Sequence, residues 1–178
     1  KGDDGEIGGY LVERGTPGFG TLDIHGKFSM RASITSELSF QDCRIPLANR
    51  LPGAKALKAP LSCLSQARYG IAWGVVGAAQ ACYDWALQYG QTRVQFGKPI
   101  AGFQLVQRKL VWMVTEITKA QLLCLQLGRL KDGPGVRPQQ ISMAKMNNVW
   151  MALETARLGR DILGAAGIVD GHPLIRHL

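Results

Sequence analysis

The sequence predicts a mainly helical α+β fold, in which the end of a β domain leads into an up-down bundle of three long helices and the start of a fourth. Three observations predict it. Residues 1–52 hold short apolar runs cut by glycines, at Gly8-Gly9, Gly15 to Gly20 and Gly26. From about Pro60 onward apolar residues recur at steps of three and four, the repeat of a helix face packed in a bundle. Breaks at Pro99–Gly102 and Asp132–Gly135 divide that pattern into segments joined by short links, as in antiparallel neighbours. The expected organisation is therefore residues 1–55 as the closing strands of a β domain and residues 56–178 as the bundle.

In the first part, Ile7 to Glu13, Thr21 to Phe28 and Ile34 to Cys43 are the candidate strands. Alternation is clearest at Ser36-Leu38-Phe40 against Glu37, Ser39 and Gln41, which reads as a half-buried antiparallel strand. Three such strands cannot close a core alone, so they read as the tail of a larger domain. Pro46, Pro52, Gly53 and Pro60 mark the passage to helix.

The first helix carries the stripe Leu61, Leu64, Arg68, Ile71, Val75, Ala78, Cys82, Trp85, Tyr89, Arg93. At ~1.5 Å per residue its two arginines stand roughly 37 Å apart, too far for one ligand to satisfy both. If both bind anions, they bind two different ones. Gly70, Gly74, Gly77 and Gly90 cost helix propensity, so packing or a close approach must offset them. The second helix shows Phe103, Val106, Leu110, Met113, Ile117, Ala120, Cys124 and Leu127 without a slip. The third opens at Pro138, suited to a first turn, with Met146, Val149, Leu153, Ala156 and Leu163 as its inner face and Gly164 and Gly167 as terminators. Gly171-His172-Pro173 is the expected start of a fourth helix. A chain that opens on Lys1 and stops one turn into that helix is expected to be a piece of a longer protein.

Composition narrows the classes. No run of eighteen apolar residues is present, so no membrane-spanning helix is expected. The formal charge is +8, but the basic residues are scattered singly, which suits phosphorylated small molecules at least as well as nucleic acid; charge alone does not decide between them. Cys43, Cys63, Cys82 and Cys124 show no C-x-x-C spacing and read as buried free thiols. His25, His172 and His177 have no metal-ligand spacing and no nearby nucleophile. Glu154 and Asp161 stand three and four residues from Arg157, a spacing for surface ion pairs, so neither they nor any other carboxylate is a candidate base. No catalytic residue and no metal site is expected in this chain.

Two places could carry binding chemistry. Arg93, with Gln95-Phe96-Gly97 at the helix end and Gln104 in the next first turn, can hold a pyrophosphate and a base or ribose. The same arginine could instead satisfy the last carbonyls of its own helix. Arg68 on an apolar stripe needs an acidic partner, a phosphate or a path to solvent. Leu163-Gly164-Ala165-Ala166-Gly167 is either a plain C-cap or a backbone that a ligand can approach closely.

Arg93-Val94-Gln95-Phe96-Gly97 with Gln104, followed by Leu163-Gly164-Ala165-Ala166-Gly167, resembles the flavin-contacting segments of the acyl-CoA dehydrogenase family. Gly26 to Ser33 resembles the family's β-domain segment. Cys63-Leu64, Ala67 to Gly74, Thr115 to Thr118 and Gln126 to Asp132 resemble its glutaryl-CoA-oxidising branch, in one register along essentially the whole chain. The resemblance implies FAD as cofactor, with Arg93 on the flavin pyrophosphate of a neighbouring subunit and Gln95, Phe96 and Gln104 along the adenosine half. Asp161, Leu163, Gly164 and Ala165 would line the same site. It also implies that Leu64, Ser65 and Arg68 contact the CoA end of an acyl-CoA substrate, glutaryl-CoA in that branch. Ser65 stands where relatives carry Asp or Asn, and Ala165-Ala166 where Gly and Asn are usual. The catalytic Glu of the family would lie beyond Leu178, so the chain alone is expected to be inert. The resemblance further implies a homotetramer when full-length, an electron-transfer flavoprotein as electron acceptor, no nucleic-acid partner, and a bacterial cytoplasm or mitochondrial matrix as setting. Acyl-CoA oxidases, other dehydrogenases of the family and a non-enzymatic, self-associating helical module are the alternatives.

Overall fold

The computed structural model describes residues 5–178, which divide into one unit ending at Ser62 and a second running from Cys63 to Leu178. In the first unit, β1 (Gly8–Tyr10) pairs antiparallel with β4 (Arg50–Lys55), and β2 (Phe19–Asp23) pairs antiparallel with β3 (Ser36–Phe40). β4 was not expected: Pro52 and Gly53 read as a linker, yet both sit in this strand, whose pairing with β1 slips at a bulge between Gly8 and Tyr10. A two-stranded ladder has outer edges where a proline needs no partner, which is why Pro52 is tolerated. The expected half-buried alternation in β3 is also corrected. All of Ser36–Phe40 is exposed, because no layer covers either face of the hairpin; Phe40 finds only Phe19 across the ladder, stacked at 5.1 Å. Among the described residues of this unit none is buried.

The helices are α1 (Lys58–Thr92), α2 (Gln104–Asp132) and α3 (Pro138–Leu163). Between the first two lies a tight hairpin of β5 (Val94–Gln95) and β6 (Lys98–Pro99), followed by a 3-10 turn over Ile100–Gly102. Two core clusters run along the bundle. In one, Ala72, Val76 and Ala79 of α1 meet Ile117, Ala120, Cys124 and Leu127 of α2 and Ile141, Ala144 and Met151 of α3. In the other, Cys82 and Ala86 meet Leu110 and Met113 of α2 and Ala156, Ile162 and Leu163 of α3. The late part of each helix thus packs on the early part of the next, the up-down arrangement that short connections produce.

The expected α2 stripe is the observed one, buried from Leu110 through Leu127. On α1 the buried face keeps the expected Cys82 and is otherwise rotated by one residue. Ala72, Val76, Ala79, Cys82, Ala86 and Gly90 point inward, whereas Ile71 and Trp85 are 46% and 39% exposed. The reason is size: alanine and glycine let α1 approach the other two helices closely, and close packing outweighs the larger area that Ile71 or Trp85 could bury. On α3 the expected Ala156 and Leu163 are buried, but the rest of the inner face is corrected. Met146 is 69% exposed, and Ile141, Ala144, Asn148, Met151 and Thr155 take the inside. Two polar residues on that face concealed its period. Gly70, Gly74 and Gly77 have nothing of this chain within 4 Å of where a Cβ would be, so no neighbour within the chain requires them.

Asn148 makes the inward polar position tenable. Its Nδ2 donates to the Ala72 carbonyl (3.0 Å) and to Cys124 Sγ (3.0 Å), Cys124 Sγ donates to the same carbonyl (3.3 Å), and Asn148 Oδ1 accepts from Asn147 Nδ2 (3.0 Å). A 3-10 turn, Gly164–Ile168, directly follows α3, and where a fourth helix was expected from Gly171-His172-Pro173 the chain forms a further 3-10 turn, Pro173–His177. Leu174 is fully buried there, against Gly159: a Cβ on Gly159 would meet Leu174 Cδ2 at 2.5 Å. Of the thiols expected to be buried, Cys82 and Cys124 are, while Cys63 is exposed and Cys43 intermediate; all are free.

Replacing Asn148 by Ala removes every donor that bridges α1 and α3 at this level. The expected loss is about 1–3 kcal/mol in a urea unfolding titration with unchanged slope; a midpoint indistinguishable from wild type would show that the network holds nothing. Burial pushes the Cys82 thiol up to about 11 from 9.0. The folded state therefore keeps a proton that the unfolded state releases, so this contribution is intact below pH 9 and is lost as pH rises from about 9 to 11, by about 2–3 kcal/mol. A Cys82→Ala variant should show a correspondingly flatter decline over that window.

Candidate functional site

The turn after α1 is the most specific piece of local chemistry in the bundle. Phe96 (φ 53°) and Gly97 (φ 79°) both take positive φ between the paired residues Val94–Pro99 and Gln95–Lys98, which is a two-residue hairpin of the I′ kind. Glycine accepts that conformation freely; phenylalanine does so at a cost. Phe96 is 92% exposed and touches only the edge of Phe103, with ring centroids 6.3 Å apart. Lys98 Nζ lies over the Phe103 ring at 4.4 Å and donates to the Gly102 carbonyl at 3.2 Å. The hairpin is thereby fastened to the start of α2, and the Ile100 amide bonds the Arg93 carbonyl at 2.9 Å. These contacts hold the Arg93 backbone at the mouth of a cleft.

That cleft, about 490 Å3, is lined by Tyr89, Arg93, Gln95, Ile100, Ile162, Leu163, Gly164, Ala165 and Ala166. It gathers the end of α1, the hairpin, the turn before α2 and the end of α3, segments some seventy residues apart in sequence. Gly164 caps α3 with φ 59° and ψ −132°, a conformation essentially reserved for glycine, and nothing lies within 4 Å of where its Cβ would be. Gly167 is the opposite case: a Cβ there would meet the Arg160 carbonyl oxygen at 2.6 Å. One glycine gives the backbone turn its shape and leaves its outer side open, and the other lets the turn close back on α3.

Among the residues expected to bind the dinucleotide, the structure brings Arg93, Gln95, Leu163, Gly164 and Ala165 together in this cleft. Phe96 and Gln104 are exposed beside it without lining it. Asp161 turns away from it and forms an ion pair with Lys109 of α2. Ile162 and Ala166, inside the segments expected to meet the flavin, complete the lining with Tyr89 and Ile100, which were not among the expected site residues. Tyr89 stands one helical turn before Arg93, and that spacing is the one signal that could have named it. Leu64, Ser65 and Arg68 lie together near the start of α1, Leu64 exposed and the other two half-buried. Among the described residues neither the Arg68 nor the Arg93 guanidinium has a hydrogen-bond or ion-pair partner. Both cations remain available to anions from outside the chain. Glu154 is held by Arg157 at 2.6 Å, as its spacing predicts. No group of His, Cys, Asp or Glu able to hold a metal exists among the described residues, and no helix is long and apolar enough to cross a membrane.

The structure is thus a helical bundle with a cleft holding Arg93 at one end and a second unpaired arginine, Arg68, toward the other. The profile of the acyl-CoA dehydrogenase C-terminal domain matches residues 57–178, and the chain belongs to the acyl-CoA dehydrogenase family, whose members are FAD-dependent oxidoreductases. A glutaryl-CoA dehydrogenase from Mycobacterium smegmatis, solved in complex with FADH2, superimposes with a TM-score of 0.93 at 48% identity, over 98% of this chain and 45% of that one. An acryloyl-CoA reductase (NADH) from Anaerotignum propionicum is 34% identical over 93% of this chain and 42% of its own length. The short-chain specific acyl-CoA dehydrogenase of Rattus norvegicus mitochondria is 35% identical over 96% and 42%. The chain thus spans less than half the length of these relatives.

The cleft fits the pyrophosphate and sugar side of a dinucleotide. Arg93 offers an uncommitted fork of donors, Gln95 an amide, and Gly164 an open stretch of backbone. Substituting Gly164 by Ala forces a side chain into a conformation it rarely adopts and adds a methyl group on the open side. The expected result is a loss of about 1–2 kcal/mol in thermal unfolding, with a larger relative fall in nucleotide affinity; unchanged values for both would remove Gly164 from the site.

Proposed function

We propose that this chain is the part of an FAD-dependent acyl-CoA dehydrogenase that holds the pyrophosphate and adenosine side of the cofactor at Arg93 and the CoA end of the thioester at Arg68. The observation that carries this reading is the convergence of Arg93, Gln95, Leu163, Gly164 and Ala165 on one cleft while Arg68 stays unpaired on the same helix. With 24 residues of helix between Arg68 and the α1 terminus at Thr92, the two sites are roughly 37 Å apart. They serve separate anions.

The substrate we favour is glutaryl-CoA, on the support of the 48% identity with the Mycobacterium smegmatis enzyme. When bound, FAD supplies the acceptor for the hydride from the thioester β-carbon, and loss of carbon dioxide from the glutaryl chain gives crotonyl-CoA. This chain's own contribution is binding and orientation. Arg93 neutralises the pyrophosphate, Gln95 offers the sugar or base a hydrogen bond, and Arg68 with Ser65 receives the CoA phosphates. In this reading the proton-abstracting base comes from elsewhere in the enzyme; Asp161 pairs with Lys109 and Glu154 with Arg157. An electron-transfer flavoprotein is the acceptor this chemistry requires in the reading. A homo-oligomer is favoured by a second apolar stripe on α2 (Val111, Val114, Leu122, Leu125) and by Met143, Met146 and Trp150 on α3, all exposed.

Titrating FAD and CoA separately into the chain tests the pairing. Arg93→Ala should weaken FAD about tenfold or more and leave CoA within about twofold, and Arg68→Ala should do the reverse. If each variant weakens both ligands equally, or neither, the two-anion reading is wrong.

A further inference from the structure

Helix α2 carries two apolar stripes, and the core uses only one of them. The other runs along the outside through Val111, Val114, Thr118, Leu122 and Leu125. All five are exposed, Val111 and Leu122 at 62% and 61%, so the described residues leave this face open. Thr118 is its one polar member. The Thr118 Oγ1 donates to the Val114 carbonyl at 2.8 Å, which satisfies the hydroxyl without water.

The spacing of this stripe is its distinctive property. From Val111 the steps are three, four, four and three, the same read from either end, with Thr118 at the centre. At ~1.5 Å per residue, Val111 and Leu125 lie about 10 Å to either side of Thr118, and Val114 and Leu122 about 6 Å. A two-fold axis crossing the helix at right angles in front of Thr118 therefore sets Val111 opposite Leu125 of a second copy, and Val114 opposite Leu122. Self-complementarity of that kind is what an isologous contact requires. The symmetry continues into the polar ends of the same face, where Gln107 falls opposite Arg129 and Gln104 opposite Asp132, all four exposed. An apolar centre with a polar rim is the ordinary anatomy of a protein interface.

Charge sets the direction of the pairing. A chain of net charge +8 accepts a second copy only where cations avoid cations. In the antiparallel arrangement Arg129 meets an amide, that of Gln107, and Lys119 at the edge of the face is held by Glu116 at 2.6 Å. A parallel pair would set Arg129 beside Arg129 and Asp132 beside Asp132, and would align the two helix dipoles unfavourably. We infer that α2 pairs antiparallel with α2 of a second copy of this chain, in register about Thr118. This rests on the homo-oligomeric reading and adds to it the face, the direction and the register.

Disulfide trapping tests the register, in a background carrying Cys43→Ser and Cys63→Ser because those two thiols are not buried. Under mild oxidation Thr118→Cys should give a covalent dimer, since its side chain meets its own copy at the axis. Val111→Cys and Leu125→Cys should each stay uncrosslinked alone, their own copies standing about 21 Å apart along the helix, and should crosslink when the two are mixed. Leu122→Glu, checked for folding by circular dichroism, should raise the dissociation constant about tenfold or more in sedimentation velocity. Self-crosslinking of Val111→Cys, failure to trap Thr118→Cys, or unchanged sedimentation of Leu122→Glu would each overturn the pairing. If the wild-type chain then still sediments as an oligomer, the homo-oligomeric reading stands and only the α2 pairing falls. A wild-type monomer removes both.

Discussion

The bundle depends on one buried polar junction. Asn148 sits where all three helices meet, and its amide is matched on every side by the Ala72 carbonyl, Cys124 Sγ and the Asn147 amide. A hydrophobic contact tolerates sliding, because one apolar neighbour is nearly as good as the next. A buried amide does not, since a shift of one turn would leave its donors and acceptor unmatched in a medium that penalises this heavily. The junction therefore fixes the axial register of α1 against α2 and α3. Around it, alanines and Gly90 on α1 set how near the helices come.

The site follows from that register. With α1 and α3 locked, the end of α1 and the end of α3 arrive at the same level, and Arg93 faces Gly164 across a cleft rather than past it. The strained hairpin at Phe96-Gly97 then turns the chain sharply enough for α2 to begin beside the cleft without filling it. Leu174, seated against Gly159, brings the last turn back onto α1 and places His172 against Trp85 and Tyr89. Packing in the core and geometry at the rim are the same constraint seen at two distances.

Charge is distributed accordingly. Asp161 is neutralised by Lys109 and Glu154 by Arg157, whereas Arg68 and Arg93 have no carboxylate partner among the described residues. The net charge of +8 is thus spread over single cations, two of which, Arg68 and Arg93, have no acidic partner among the described residues. The apolar residues of α2 and α3 that do not face the core, among them Val111, Leu122, Met146 and Trp150, are exposed.

By itself the sequence determined the fold class, the three helices and their order, the complete inner face of α2, the ion pair between Glu154 and Arg157, and the two arginines as the cations of interest. Each of these is local: a 3.6-residue period, a proline–glycine break, a spacing of three along one helix. Tertiary structure decided what depends on partners distant in the chain. The inner face of α1 was assigned one residue off, because small residues win a close helix contact that the bulkier Ile71 and Trp85 would prevent. The face of α3 was hidden by Asn148 and Thr155, whose burial makes sense only once Ala72 and Cys124 are beside them. β4 was concealed by Pro52 and Gly53, which an edge position excuses. The diversion of Asp161 to Lys109 and the seating of His172 lay in no motif, since each is fixed by residues more than fifty positions away, brought near by packing that a single strand of sequence does not encode locally.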